Sequence, residues 1–329
     1  MKVSIIGCGS YGTALAQIIS SNVNQVFLFG RDFSLLHEIN KNNVNKVYFP
    51  SIKLNENIKA FHITKDAEYI KDCDVIVFSV PSGVTRDVAR KLSDYTKGKM
   101  IVSTAKGIEY PSLNTMSQSI MKATGNKNIY CFSGPTFADE LIMGYLSGFT
   151  VGANDKEGRD MISDLLSSPN ILCDFSDDIE GVELCGVLKN IYSISIGIFD
   201  SFSHSNNEHY TFLNLCFKEM KNIVDEVAKD KDLIHKFCCF GDFNLTTNTD
   251  KSRNRTLGLM VGKGLLELKE FNPSIIFEGM KSVKAIRKKS NQLGLDTPIV
   301  NFAHAALNKK GNIKMDIHKL LEKIKINLN

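Results

Sequence analysis

A lysine and an asparagine stand in the middle of an otherwise apolar run, Gly181-Val182-Glu183-Leu184-Cys185-Gly186-Val187-Leu188-Lys189-Asn190. An unpaired buried ammonium is costly, and burial draws a lysine pKa down toward neutrality, where proton donors and acceptors work best. Lys189 is therefore a candidate acid/base group. A lysine that snorkels outward or pairs with Glu183 accounts for the same spacing equally well. Two further segments, Ser103-Thr104-Ala105-Lys106-Gly107-Ile108-Glu109 and Ser133-Gly134-Pro135-Thr136-Phe137-Ala138-Asp139-Glu140, each follow a strand-like run, where open α/β sheets hold ligands. A fourth region reads Gly241-Asp242-Phe243-Asn244-Leu245-Thr246, then Lys251-Ser252-Arg253-Asn254-Arg255. Its guanidinium, hydroxyl and amide donors suit a phosphate, although a polar helix cap has the same composition. The seven histidines, His37, His62, His204, His209, His235, His304 and His318, fall outside these segments and read as surface or core. No clustered His/Cys/Asp spacing points to a metal.

Nearer the start, Gly7-Cys8-Gly9-Ser10-Tyr11-Gly12 is a GxGxxG sequence that follows a strand-like run and opens a helical one. In that context it signals a dinucleotide site. Gly7 permits the tight turn, Gly9 lets the backbone approach a pyrophosphate, and Gly12 allows close helix–strand packing. The next strand ends Phe29-Gly30-Arg31-Asp32. An acid at this tip binds the ribose 2′-hydroxyl of NAD, and an arginine accommodates the 2′-phosphate of NADP. With both present, dual use of NAD(H) and NADP(H), biased toward NADPH, is the expectation.

The elements that must position these groups fall into two halves. Val3–Ile6, Gln25–Phe29, Asp74–Val80, Met100–Ser103 and Ile129–Phe132 read as nearly continuous apolar strands alternating with helices such as Thr13–Ser20. His62–Ala67 and Gly148–Ala153 read as further strands. This pattern predicts a parallel sheet covered on both faces, an α/β Rossmann-like dinucleotide-binding domain over 1–178. Beyond it, Gly181–Phe199 is apolar almost all round, as in a helix buried inside a domain, and Leu213–Val227, Ser274–Leu293 and Met315–Ile326 read as helices. In the last of these, Ile317, Leu320, Leu321 and Ile324 share a face. An all-helical substrate-binding and catalytic domain over 179–329 is expected, with the cleft between the two. The 329 residues suffice for two domains of ordinary size, and a net charge of +4 is too small to argue for nucleic acid. Eight cysteines without CxxC pairing suggest reduced, mostly buried thiols. No leader sequence and no apolar stretch approaching a membrane span is apparent, so a soluble, cytoplasmic protein is expected.

In order and approximate spacing, GCGSYGTALA, STAKGIE, SGPTFADE, GVELCGVLKN, GDFNLTTNTDKSRNR and Phe277-Glu278-Gly279 resemble the NAD(P)-dependent glycerol-3-phosphate dehydrogenase family, of the soluble bacterial type. The resemblance covers nearly the whole chain. It implies hydride transfer between NAD(P)(H) and C2 of a three-carbon phosphate ester, interconverting sn-glycerol 3-phosphate and dihydroxyacetone phosphate for phospholipid synthesis. It makes Lys189 the proton acceptor for the C2 hydroxyl, and sets Lys106, Gly134, Thr136, Asp242, Ser252, Arg253 and Asn254 around the substrate. It sets Ser10, Tyr11, Arg31, Lys106, Ala138, Arg253, Phe277 and Glu278 against the dinucleotide, and a homodimer is compatible with it. The chain departs from the family at Ser201–Ser205, where glycines are usual, and at Phe212–Cys216, where an arginine is usual. Leu146-Ser147 replaces Pro-Thr, and Thr247 stands where cysteine is common. The alternatives are a related lysine-dependent hydroxy-acid dehydrogenase, of the 6-phosphogluconate or 3-hydroxyisobutyrate kind, and an NADPH-binding homologue weakened in catalysis.

Overall fold

A computed structural model describes residues 1–203, 205–265, 278–308 and 312–328. These form two compact units, one comprising Met1–Ala105 with Thr115–Glu183, the other Lys106–Asn114 with the chain from Leu184 onward. The segment bearing Lys106 thus belongs with the second unit, although it directly follows a strand of the first.

The first unit is a single sheet of eight strands, β1 (Lys2–Ile6), β2 (Gln25–Gly30), β3 (Ile58–His62), β4 (Val75–Phe78), β5 (Met100–Ser103), β6 (Ile129–Ser133), β7 (Ser147–Gly152) and β8 (Ile171–Ser176), in the order β3-β2-β1-β4-β5-β6-β7-β8. All neighbours are parallel except β6 and β7. Six helices accompany it: α1 (Ser10–Ser20), α2 (Phe33–Asn42), α3 (Ser82–Lys91), α4 (Met116–Thr124), α5 (Ala138–Ile142) and α6 (Lys156–Leu166). Side chains alternate faces along a strand, so a sheet covered on both sides favours apolar residues at nearly every position. Val26 and Leu28 enter one core with Leu15, Ile19 and Ile162. Phe27 and Phe29 enter the other with Ile70, Ala89 and Ile120. The strand order reverses between β1 and β4, where doubly wound sheets open a ligand crevice beyond the carboxyl ends of their strands.

Two strand expectations change. The extended run expected at His62–Ala67 lies earlier, at Ile58–His62, because Asp66 turns the chain: its Oδ2 accepts from the His62 N–H at 2.8 Å, and His62 Nδ1 accepts from Thr64. The edge strand β8 was not anticipated, since Leu172 and Phe175 are exposed and Asp174 interrupts its apolar pattern.

In the second unit the described elements are helices, beginning with α7 (Ile179–Asp200), whose first residues belong to the first unit. At 22 residues and a mean hydropathy of 1.4, this helix reaches the length and apolarity of a membrane span, contrary to expectation, but the whole apolar window is buried in the protein. It is followed by α8 (Asn206–Val227), α9 (Asp242–Thr247), α10 (Arg253–Gly262), α11 (Glu278–Gln292), α12 (Pro298–Asn308) and α13 (Ile313–Leu328). Ile317, Leu320 and Ile324 of α13 are buried as expected, while Leu321 is exposed. The unanticipated α12 starts at Pro298, which tolerates the first helical position. Its Ile299 and Val300 N–H groups are capped by buried Glu219 at 2.8 and 3.0 Å. Burial raises the Glu219 carboxyl to about 7 against the opposing pull of those two N–H groups.

Where α7 crosses α10, Gly197 and Gly258 allow backbone contact. A Cβ on Gly258 would lie 2.2 Å from the Ile194 carbonyl, and one on Gly197 would lie 2.2 Å from the Arg255 carbonyl. Gly258→Ala must therefore push two helices apart, at a cost of about 1–3 kcal/mol. We expect a Tm lowered by several degrees in thermal unfolding; an unchanged Tm would mean that this crossing is not held closed.

Candidate active site

In the first unit, the chain leaves β1 through Gly7, whose φ of 122° favours glycine, and whose Cβ would stand 2.5 Å from the Ser79 carbonyl beyond β4. A Cβ on Gly12 would stand 1.9 Å from the Gly7 carbonyl, so α1 packs directly on the turn. Gly9 caps α1, and its missing side chain leaves open space in front of the first helical N–H groups. That is a cradle a Cβ would fill, at a helix end suited to an anion. It fits the pyrophosphate of a dinucleotide, with Ser10 as the first residue of α1. The phenol of Tyr11 lies 3.1 Å from the hydroxyl of buried Thr136. This contact joins the glycine turn to the SGPTFADE segment, in which Ala138 opens α5. Gly134 has a packing reason to be glycine, since its Cβ would be 2.0 Å from the Gly148 carbonyl. At the tip of β2, Asp32 is occupied as the N-cap of α2, accepting from the Ser34 and Leu35 N–H groups at 2.9 and 3.2 Å. Arg31 is exposed beside it.

In the second unit, three charged side chains meet. The Lys189 ammonium donates to Asp242 Oδ1 at 2.6 Å and to the Thr246 hydroxyl at 2.8 Å; the Lys106 ammonium donates to Asp242 Oδ2 at 2.5 Å. Asp242 is 1% exposed, Lys189 7%. Asp242 opens α9 directly after a helical turn over Phe237–Gly241 of the wide i to i+5 type, a device frequent at functional sites. Burial brings Lys189 down to about 8, Lys106 pushes the same way, and Asp242 opposes both. Glu183, the alternative partner considered from spacing, is engaged elsewhere, accepting from the Ser117 N–H at 2.9 Å and the Ser117 hydroxyl at 2.6 Å. Two amines sharing one carboxylate leave an excess positive charge when both are protonated, the setting for a lysine that exchanges its proton near neutral pH.

The start of α10 is tied to the same cluster. Ser193, one turn beyond Lys189 on α7, donates to the Thr246 carbonyl at 3.1 Å and lies 3.0 Å from the Ser252 hydroxyl. Ser252 is the N-cap of α10, Arg253 its exposed first residue, and Asn254 is buried. Asn254 Oδ1 has no hydrogen-bond partner among the described residues, an acceptor suited to a ligand hydroxyl. It faces Gly279, where a Cβ would come within 2.9 Å of it, and Asn190 is buried nearby, its carbonyl 3.1 Å from that same position. Glu278 is the half-buried first residue of α11, and Phe277 lies outside the described residues.

Several participants were missed from sequence. Thr246 and Ser193 stand four residues after Asp242 and Lys189, hence on the same helix faces, and that spacing was the available signal. His209, read as surface or core, bridges Asp200 at 2.8 Å and Asn248 at 2.9 Å, while Arg255 joins Asp200 at 2.8 Å and Asp250 at 2.6 Å. This network holds the turn that leads into Ser252, and its His209 stands between the departing segments Ser201–Ser205 and Phe212–Cys216. Titration of 13C-methylated Lys189 by NMR should give a midpoint near 8 in the parent protein and a lower one in Asp242→Asn, which removes the charge favouring the ammonium. A midpoint that stays or rises would deny the carboxylate its role.

Residues 2–159 match the family model described as NAD-dependent glycerol-3-phosphate dehydrogenase N-terminus, and residues 178–318 match its C-terminal counterpart. The chain is 41% identical over 324 residues to a glycerol-3-phosphate dehydrogenase (NAD(P)+) of Methanothermobacter thermautotrophicus, covering 98% of each. It is 32% identical to one of Teredinibacter turnerae, covering 93% of this chain and 90% of the relative. Its fold is that of the glycerol-3-phosphate dehydrogenase from Coxiella burnetii, with a TM-score of 0.88 at 24% identity and 98% of both chains covered. The chain belongs to the NAD-dependent glycerol-3-phosphate dehydrogenase family.

Proposed function

We propose that the chain interconverts sn-glycerol 3-phosphate and dihydroxyacetone phosphate with NAD(P)(H), in the cytoplasm, supplying glycerol 3-phosphate for phospholipid synthesis. A homodimer is the assembly this reading carries. The observation that supports it most is the buried Lys189 ammonium, brought to about 8 and held at 2.6 Å by the Asp242 carboxylate that also binds Lys106.

Nicotinamide, when bound, supplies or accepts the hydride at the substrate's C2. The chain's own residues do the rest. Lys189 gives a proton to the C2 oxygen in the reducing direction and takes it back in the other. Asp242 fixes the position of both amines and keeps Lys189 from losing its proton too readily. Lys106 adds positive charge beside an oxygen on which negative charge develops. Ser252, Arg253 and Asn254, at the N-terminus of α10, offer hydroxyl, guanidinium, amide and helix N–H groups to the phosphate. The glycine turn of the first unit would hold the cofactor's pyrophosphate. With Asp32 occupied by the α2 cap, Arg31 is the side chain left for a 2′-phosphate, which favours NADPH without excluding NADH.

The reading is tested by following NADPH and NADH oxidation with dihydroxyacetone phosphate. Lys189→Ala should lose about 10²-fold or more in kcat while binding NADPH normally. In the parent enzyme, kcat/KM for reduction should fall as pH rises through about 8, since the ammonium is the donor. For oxidation it should rise over the same range. Full turnover in Lys189→Ala, or pH profiles of the same sign in both directions, would refute the assignment. Arg253→Ala should raise KM for dihydroxyacetone phosphate far more than for unphosphorylated dihydroxyacetone; equal effects would place the phosphate elsewhere.

A further inference from the structure

In the second unit a concavity of about 400 Å³ is lined by Tyr110, Lys284, Arg287, Lys288, Asn291, Gln292 and His304, none of them a member of the lysine–aspartate cluster. Four of these are basic or can become so, and no lining residue is acidic. Lys284, Arg287 and Lys288 are spaced i, i+3, i+4 on α11, hence on one face. Like charges so placed repel, and the fold holds them together by specific contacts. The Lys284 and Lys288 ammoniums lie 4.3 and 5.6 Å from the centre of the Tyr110 ring. Lys288 also donates to the Pro111 carbonyl at 3.1 Å, and Arg287 Nε donates to Asn301 Oδ1 at 2.9 Å, which fixes the plane of the guanidinium. Arg287 and Lys288 are half-buried, not splayed into solvent. His304 responds to the same field: burial lowers its pKa, and Arg287 and Lys284 lower it further.

We infer that this concavity is a second anion site, distinct from the active site, for a small molecule carrying adjacent phosphate groups. Its volume is that of a small-ligand pocket. Its oriented cations, two of them half-buried and the exposed Lys284 held over the Tyr110 ring, suit convergent binding of a compact polyanion better than contact with a flat membrane or a nucleic acid, and the chain's net charge of +4 gives little general attraction for either. Three cations on one face carry more charge than the about −2 of a single phosphate balances, which is why a diphosphate matches them better. Asn291 and Gln292 add neutral donors to the lining.

The test is calorimetric titration of the full-length, NADPH-saturated protein with inorganic pyrophosphate, at constant ionic strength set with chloride. NADPH blocks the cofactor's own pyrophosphate site. Saturable binding is expected, weakened about tenfold or more in Lys284→Gln/Arg287→Gln, the loss of at least one charge-assisted hydrogen bond. Lys284→Arg, which keeps the charge, should stay within a few-fold of the parent. The double variant should keep the parent's kcat with dihydroxyacetone phosphate, showing that it folds. No saturable binding, or equal affinity in the double variant, would overturn the inference. So would loss of binding in Arg253→Ala, which would assign the heat to the substrate's phosphate site. Sedimentation with phosphatidylcholine–phosphatidylserine vesicles that depends on Lys284 and Arg287, with no pyrophosphate heat, would replace the small molecule by a membrane surface.

Discussion

One carboxylate, Asp242, accepts from two lysine amines inside a protein interior, and the helices around it are arranged so that it can. A buried carboxylate or a buried ammonium alone would shift its pKa until neutral, or force the fold open. Together with the Thr246 hydroxyl they satisfy one another, and the leftover positive charge is what a phosphate ester would meet. The participants come from three stretches of chain. Lys189 is carried by α7, Asp242 and Thr246 by α9, and Lys106 by the short segment 106–114 that joins the helical unit. The close Gly197–Gly258 crossing sets the distance between α7 and α10, so it governs where Ser252 stands relative to Lys189.

What could be read from sequence follows the range of the forces involved. The glycine turn is local: its strand, turn and helix are consecutive, and its steric demands act within the Gly7–Gly12 span and on the adjacent Ser79. The two-faced core is likewise legible, because a fully covered strand leaves few polar positions, Ser4 of β1 and Thr150 of β7 being two of them. Lys189 was conspicuous against its apolar helix, yet its partner was not, since the choice between Glu183 and Asp242 depends on which helices meet. His209 gave no signal, because its partners Asp200 and Asn248 lie 9 and 39 residues away. Asp66 shows the limit in the other direction. A short polar contact ended β3 at His62, where β-propensity alone would have carried the strand onward.

The apolarity of α7 serves two masters that sequence cannot separate. A helix of that length and composition is equally suited to lipid and to a protein interior, and only its neighbours decide. Here they do, since the apolar window is buried throughout. Burial of the helix is also what draws Lys189 down to about 8, so the packing that hides the hydrocarbon is the same packing that tunes the amine.

Asp32 illustrates how one structural commitment constrains later change. Its carboxylate holds the first turn of α2, so removing it would loosen that helix by about 1 kcal/mol, whatever it did to ribose recognition. Arg31 bears no comparable scaffold duty in the cap. On the proposed reading of Arg31, divergence between the two nicotinamide coenzymes would proceed through substitutions at 31 while 32 stays fixed, and an acid retained at that position would be no sign of which coenzyme a descendant has come to favour.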